Sequence, residues 1–247
     1  NDKRKILLTN RTIPLLILMD YMDFMEEIEH RLQYERCLYS AVIELNKPGE
    51  NAVENALHQL LSCSDASRIY IFRNFTDKDN YLAMQQLFEA CADKVEPQID
   101  NPKLQHVIYR RDGFERWMTV LSGGKTIYGK IKDFPADERE ILEDQGIQSI
   151  LIIPISVNEG WYGFIGFDDT FRERDWSEDD ILLLQTFSRI LGSYFERVEA
   201  ENKLIAKNEQ FELAVRGSND GIWEWNIVTN DLYLSERWKE MLGYRDD

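Results

Sequence analysis

Gln145-Gly146-Ile147-Gln148-Ser149-Ile150-Leu151-Ile152-Ile153-Pro154-Ile155-Ser156-Val157-Asn158-Glu159-Gly160-Trp161-Tyr162-Gly163-Phe164-Ile165-Gly166-Phe167-Asp168-Asp169 is the stretch on which the reading of the fold turns. Ser149 to Val157 is a β-branched run that is apolar at both parities. Ile150 and Ile152 point one way, and Leu151, Ile153, Ile155 and Val157 point the other. Asn158-Glu159-Gly160 is a turn signal, and Trp161 to Phe167 is a second apolar run. The stretch therefore reads as a β-hairpin with a short Gly-containing loop. A strand apolar on both faces must be covered on both, which places the hairpin in the middle of a sheet. Each such side chain contributes about 1.5–3 kcal/mol when buried. Gly163 and Gly166 lack a Cβ inside a strand and predict close approach by another element. Pro154 cannot donate to a ladder, so a bulge or an edge-facing position is expected there.

The whole chain sets wider bounds. Its 247 residues suit one or two domains, and a chain of this size buries roughly 70% of its unfolded surface without staples. The net charge of −16 argues against nucleic acid and anionic membrane as partners. Cys37, Cys63 and Cys91 show no metal-ligand spacing, and an odd count suits reduced thiols and a cytoplasmic location. The longest apolar run near the N-terminus, Ile13 to Met19, is short of the roughly 20 residues that span a bilayer. No membrane contact is expected from this segment. The chain opens without Met and is expected to be an internal piece of a longer protein, which leaves an anchor elsewhere open.

Outward from the hairpin, periodicity assigns the other elements. Ile6-Leu7-Leu8 and Pro14 to Met19 read either as two short strands around Asn10-Arg11 or as a frayed end. From Asp20 to about Leu45 the apolar residues recur at helical steps, through Tyr21, Phe24, Met25, Ile28, Leu32, Leu38 and Val42. The stripe is thin and flanked by charge, which fits a helix paired with a copy of itself or an ordinary surface helix. Asn51 to Leu61 is a one-face helix and Arg68 to Phe75 a strand. Tyr81 to Ala92 fits helix or strand by period alone; pairing with the preceding strand favours strand. Asp93 to Gln105, with Pro97 and Pro102, is loop, and Val107 to Tyr109 is a short strand. Gly113 to Ser122 and Ala136 to Gln145 are helices on either side of a strand at Thr126 to Ile131. Ser177 is the expected N-cap of a last long helix, with Asp180 three residues on as in a capping box and Trp176 with Ile181 at the staple positions. That helix keeps its 3–4 spacing to Ile205 but becomes too polar for a core after Phe195.

The hairpin, with Trp117, Leu121, Gly124, Phe134-Pro135 and Leu142 before it and Trp176-Ser177 after it, resembles the GAF domains of bacterial signalling proteins. The resemblance covers about residues 36 to 200. It implies an α+β fold, an antiparallel β-sheet with helices packed on it, flanked by long signalling helices. Phe211 to Asn226 and Leu232 to Tyr244 resemble the opening third of a PAS domain, with strands expected at 221–226 and 231–234 and a helix at 236–242. The organisation expected is a linker helix over 1–35, a GAF domain over 36–200, a helical linker over 196–210 and an incomplete PAS start over 211–247.

No catalytic constellation stands out. Gly123-Gly124-Lys125 lacks the spacing of a phosphate loop. His30, His58 and His106 are far apart, and Asp168-Asp169 with Asp175 fits a cation site or a solvated strand end. The ordered Asn-Lys-Phe-Asp-Glu pattern of cyclic-nucleotide GAF domains and the Cys-His pair that holds bilin in phytochromes are both absent, so the cofactor is left unknown. The resemblance implies a small-molecule pocket between one sheet face and its cover. Trp117, Leu121, Tyr128, Ile147 and Ser149 are the candidate ligand-binding residues, as aromatic walls with a few polar groups; equally, they fill the core. The segment reads as a sensory input module and not an enzyme. The resemblance ranks a cyclic-di-GMP enzyme (a diguanylate cyclase) first for the longer protein and a sensor histidine kinase second. A structural module without ligand is the reading from another class. The helices at 20–45 and 180–210 are expected to lie near one another and to form a parallel homodimer.

Overall fold

The computed structural model describes residues 12–49, 51–218 and 220–244. They fall into two compact units divided between Tyr194 and Phe195. In chain order the elements are α1 (Thr12–Leu45), α2 (Ala52–Ser64), β1 (Arg68–Thr76), β2 (Leu82–Cys91), β3 (Val107–Ile108), α3 (Glu115–Ser122), β4 (Ile127–Lys130), α4 (Ala136–Glu143), β5 (Ser149–Val157), β6 (Gly160–Asp169) and α5 (Glu178–Ser218). After these come β7 (Trp223–Asn226), β8 (Asp231–Leu234) and α6 (Glu236–Met241).

Six strands form one antiparallel sheet in the order β3-β2-β1-β6-β5-β4. The β5–β6 hairpin is interior, as its two-sided apolar pattern demands. Its loop is tighter than the sequence suggests: Asn158 and Glu159 take the two left-handed positions at φ of 50° and 63°, and Gly160 already belongs to β6. That is the primed turn whose twist matches a hairpin. Pro154 lies past the last β4–β5 pair, Ile127 with Ile152, where β5 has lost one neighbour. A bulge follows at Ile155/Ser156, and the Ser188 hydroxyl donates 2.7 Å to the Pro154 carbonyl.

One face of the sheet is covered by helices. Helix α2 lies on β1 and β2, and Leu184, Phe187 and Leu191 of α5 are fully buried. Gly192 sets how close α5 comes: a Cβ there would stand 2.3 Å from the Ser156 carbonyl oxygen. The start of α5 is capped as its sequence predicts, with the Asp180 N–H donating 3.1 Å to Ser177 Oγ. The Asp180 carboxylate does not close the box and instead pairs with Arg174 at 3.4 Å.

One expectation fails near the N-terminus. Pro14 to Met19 is helix, not strand, because α1 begins at Thr12 and runs unbroken to Leu45. A proline in the first helical turn gives up an N–H that has no partner there in any case. The strand expected at Ile6-Leu7-Leu8 lies outside the described residues. No helix among the described residues is long and apolar enough to cross a membrane.

In the second unit β7 pairs with β8 from Trp223–Leu234 to Asn226–Asp231. Ser235 Oγ accepts from Ile222 N–H at 2.9 Å and from Trp238 N–H at 3.2 Å, which ties α6 to the strand before it. Trp223, Trp225 and Tyr233 are exposed.

Two substitutions test these constraints. Glu159→Gly relieves a left-handed side-chain position and should raise stability by about 0.5–1 kcal/mol in urea unfolding. Gly192→Ala should lower it by about 1–3 kcal/mol, because a backbone oxygen of β5 occupies the space of the new methyl.

Candidate ligand-binding site

The second face of the sheet carries a different chemistry. Strand register puts its residues in three rows. Arg68 lies between Cys91 and Asp168, Tyr70 between Glu89 and Gly166, and Phe72 between Gln86 and Phe164. Strict alternation would send Gln86 and Glu89, three residues apart, to opposite faces. The register of β1 with β2 shifts between Ile71 and Phe72, so that Leu87 is the extra residue and both polar side chains share one face.

At the end of these rows sits a buried charged cluster. Arg68 and Asp168 are 1% and 0% exposed. Arg68 donates to Asp168 Oδ2 from Nε at 3.1 Å and from the terminal nitrogen at 2.7 Å. Tyr70 donates its hydroxyl to Asp168 Oδ1 at 2.8 Å. Gly166 makes room for that ring, since a Cβ there would stand 2.3 Å from it. Burial pushes the Asp168 carboxyl up, against the pull of Arg68. Burial and then the Asp168 carboxylate hold Tyr70 well above its usual value, so its hydroxyl stays a donor. For Arg68 burial opposes the charge, and Asp168 with Tyr70 outweighs it. Asp168 is thus no solvated strand end; its cation is a guanidinium on the neighbouring strand. Among the described residues no cluster of His, Cys, Asp and Glu suits a metal ion. Burial and then Glu89 push the Cys91 thiol up to about 11.

Helices α3 and α4 cover this face, and Glu138 joins them. Its carboxylate, 1% exposed, accepts from Arg116 at 2.7 and 2.6 Å and from the Trp117 indole N–H at 2.8 Å. That fixes the Trp117 ring edge-on to Phe114 at 5.0 Å and to Phe164 at 5.7 Å.

Between the cover and the sheet a small cavity of about 30 Å³ remains, lined by Arg68, Tyr70, Gln86, Glu89, Trp117, Ile147 and Phe164 among others. An open vestibule of about 500 Å³ lies against the same Gln98, Leu104, Phe114 and Gln145 side chains. Glu89 Oε2 accepts the backbone N–H groups of Gln98 at 2.7 Å and Ile99 at 2.9 Å, which pins the loop between cavity and vestibule. Glu89 Oε1 and Gln86 Oε1 are buried without a hydrogen-bond partner.

The sequence candidates divide by parity. Trp117 and Ile147 line the cavity, and Leu121 is buried in the same cluster. Tyr128 and Ser149 are not in the cavity wall. Tyr128 pairs with Leu151, on the parity opposite to Ile150 and Ile152, and is 54% exposed. Ser149 shares that parity; its Oγ accepts from Arg174 N–H at 3.1 Å and fastens the loop before α5. Arg68, Gln86 and Glu89 went unremarked in the sequence. A charged residue opening an apolar strand was the one signal available for Arg68.

The family model for the GAF domain matches residues 22–194. The chain belongs to the GAF domain family. Solved GAF domains share its fold: the phycocyanobilin-bound GAF domain of a cyanobacterial phytochrome superposes with a TM-score of 0.57 at 15% identity, covering 68% of this chain and 96% of that one. The phycoerythrobilin-bound form gives 0.56 at 13% identity, covering 69% and 98%. Among curated proteins this GAF chain is 37% identical over 199 residues to the methanogenesis regulatory histidine kinase FilI of Methanothrix harundinacea (strain 6Ac), covering 78% of the chain and 22% of the relative. It is 33% identical over 70 residues to hybrid signal transduction histidine kinase A of Dictyostelium discoideum, covering 28% and 3%. The chain thus spans about a fifth or less of the length of these relatives. A GAF domain is a sensory module, so this segment is signalling input and not the catalyst. Both of these relatives are histidine kinases.

Removing Arg68 leaves Asp168 buried and unpaired. Arg68→Ala should cost about 3–5 kcal/mol in urea unfolding. The double change Arg68→Met with Asp168→Leu should recover at least half of that loss, because neither partner is then left as a lone buried charge.

Proposed function

We propose that this chain is the sensory input region of a histidine kinase, in which a small molecule in the GAF cavity biases the helix α5 that follows. The observation that carries this reading is the 37% identity over 199 residues to a histidine kinase. The cavity supports the ligand step, because two buried acceptors without partners are an unfavourable arrangement that a donor would relieve. Leu184, Phe187 and Leu191 of α5 are buried against the sheet that forms the cavity floor on its other face. A ligand that fits one packing of that sheet better than another shifts the balance between them. We further propose that the segment after α5 opens a PAS domain; its β7, β8 and α6 fall where the resemblance places two strands and a short helix.

A second copy of the chain is the proposed partner. Tyr21, Phe24, Met25 and Leu32 of α1 and Leu204 and Ile205 of α5 are exposed apolar side chains on long helices, the pattern of a seam between like helices. Tyr34 of α1 is buried beside Arg174 and Asp180, at the start of α5, so the two helices approach there. Light scattering at high micromolar concentration should give a dimer, and a monomer under those conditions would remove this part of the reading.

The kinase and ligand steps are tested together. In the full-length protein, ATP should place phosphate on a histidine. Some low-molecular-weight fraction of a cell extract should both raise the melting temperature of this chain and change that rate. At a hundredfold excess over Kd, binding adds about 2.7 kcal/mol of stability. Formation of cyclic-di-GMP from GTP would overturn the kinase assignment, and an extract with no stabilising fraction would overturn the ligand step.

A further inference from the structure

The inner end of the cavity holds more acceptors than the protein can satisfy. Gln86 is 4% exposed and its Oε1 accepts no hydrogen bond. Glu89 Oε1 also accepts none, while Oε2 is held by two backbone N–H groups. Arg68 cannot serve both carboxylates: its short contacts go to Asp168, and its Nε stands 3.8 Å from Glu89 Oε1, too far for a hydrogen bond. Among the described residues Arg68 is the one cationic side chain in the wall; it is paired with Asp168 behind the wall, and the Glu89 carboxylate lies in the wall itself. The formal balance at this end is therefore one negative charge in excess. Above it stand the rings of Phe72, Phe164 and Trp117, with Phe72 and Phe164 stacked at 5.0 Å. Aromatic faces attract cations. An anion would meet the unpaired acceptors with the wrong sign.

Size narrows the class further. The inner space of about 30 Å³ admits a group about as large as one water molecule. Beyond Leu104 and Phe114 the vestibule of about 500 Å³ takes the rest of the molecule.

We infer that the cavity takes a small primary amine as its ammonium ion, the nitrogen donating to Gln86 Oε1 and Glu89 Oε1 and the apolar body passing Phe114 and Leu104 into the vestibule. This rests on the reading that the cavity is a ligand site, and adds its chemical class.

The test compares three monosubstituted benzenes of similar size at constant ionic strength: benzylammonium, neutral benzamide and anionic benzoate. Isothermal titration and melting curves of the 247-residue chain should show benzylammonium binding at least tenfold more tightly than benzamide, and no binding of benzoate. Glu89→Gln should weaken benzylammonium at least tenfold, with the unliganded melting curve showing whether the variant is folded. Gln86→Leu provides a second variant with the same expected direction. Benzamide or benzoate binding as tightly as benzylammonium would overturn the amine class while leaving the cavity a ligand site. Benzylammonium binding unchanged in both variants would do the same. No binding of any of the three overturns the amine class as well, and the extract screen then decides separately whether the cavity is a ligand site.

Discussion

Arg68 and Asp168 meet, fully buried, across the two central strands of the sheet, and much of the domain is arranged around that meeting. Each charge alone is costly to bury, and the pair is tolerable only with the remaining lone pairs occupied. Tyr70 occupies one of them. Gly166 gives up its side chain so that the Tyr70 ring can reach. The register of β1 on β6 is then linked to one carboxylate, because Arg68 and Asp168 are directly opposed. A shift of one residue would place the guanidinium on the helix-covered face, opposite an apolar core.

That constraint separates the two faces of a single sheet. On one, Leu151, Ile153, Ile155 and Phe167 meet helices in a mainly apolar layer. On the other, β1, β2 and β6 supply Arg68, Gln86, Glu89 and Asp168 to a layer closed by α3 and α4. The closure is polar too. Glu138 holds both Arg116 and Trp117, so the cover is fixed by hydrogen bonds at one end and by ring packing at the other. A cover built this way can be rigid while the cavity beneath it keeps acceptors unpaired.

The consequence for signalling is energetic. An unpaired buried acceptor weakens the empty state relative to the occupied one, and a ligand shifts an equilibrium only by its differential affinity for the two states. In the proposed mechanism the layer on the far face would carry changes in strand position to α5, because close-packed interiors do not compress. Gly192, with no side chain between α5 and β5, lets the helix come close to the Ser156 carbonyl.

Much of this was written in local pattern. The hairpin and its interior place followed from apolar residues at both parities, and the capped start of α5 from Ser177 with an acidic residue three positions on. These are signals within one turn or one strand, where neighbours in sequence are neighbours in space. The N-terminal helix was read from Asp20, and its start at Thr12 was missed because a proline in its first turn imitates a break. The site was harder to read. Tyr128 and Ser149 looked suitable by type, and only the pairing register showed that their parity turns them away. Gln86 and Glu89 share a face through a bulge that has no mark in the sequence, and Asp168 finds its cation 100 residues away along the chain. By itself, then, the sequence determined which segments are strands and helices, because those depend on period and caps, and its resemblance to GAF domains pointed to the family. The tertiary structure alone decided which polar side chains converge and which of them are left without a partner, because register between distant strands, and not spacing along one of them, brings those groups together.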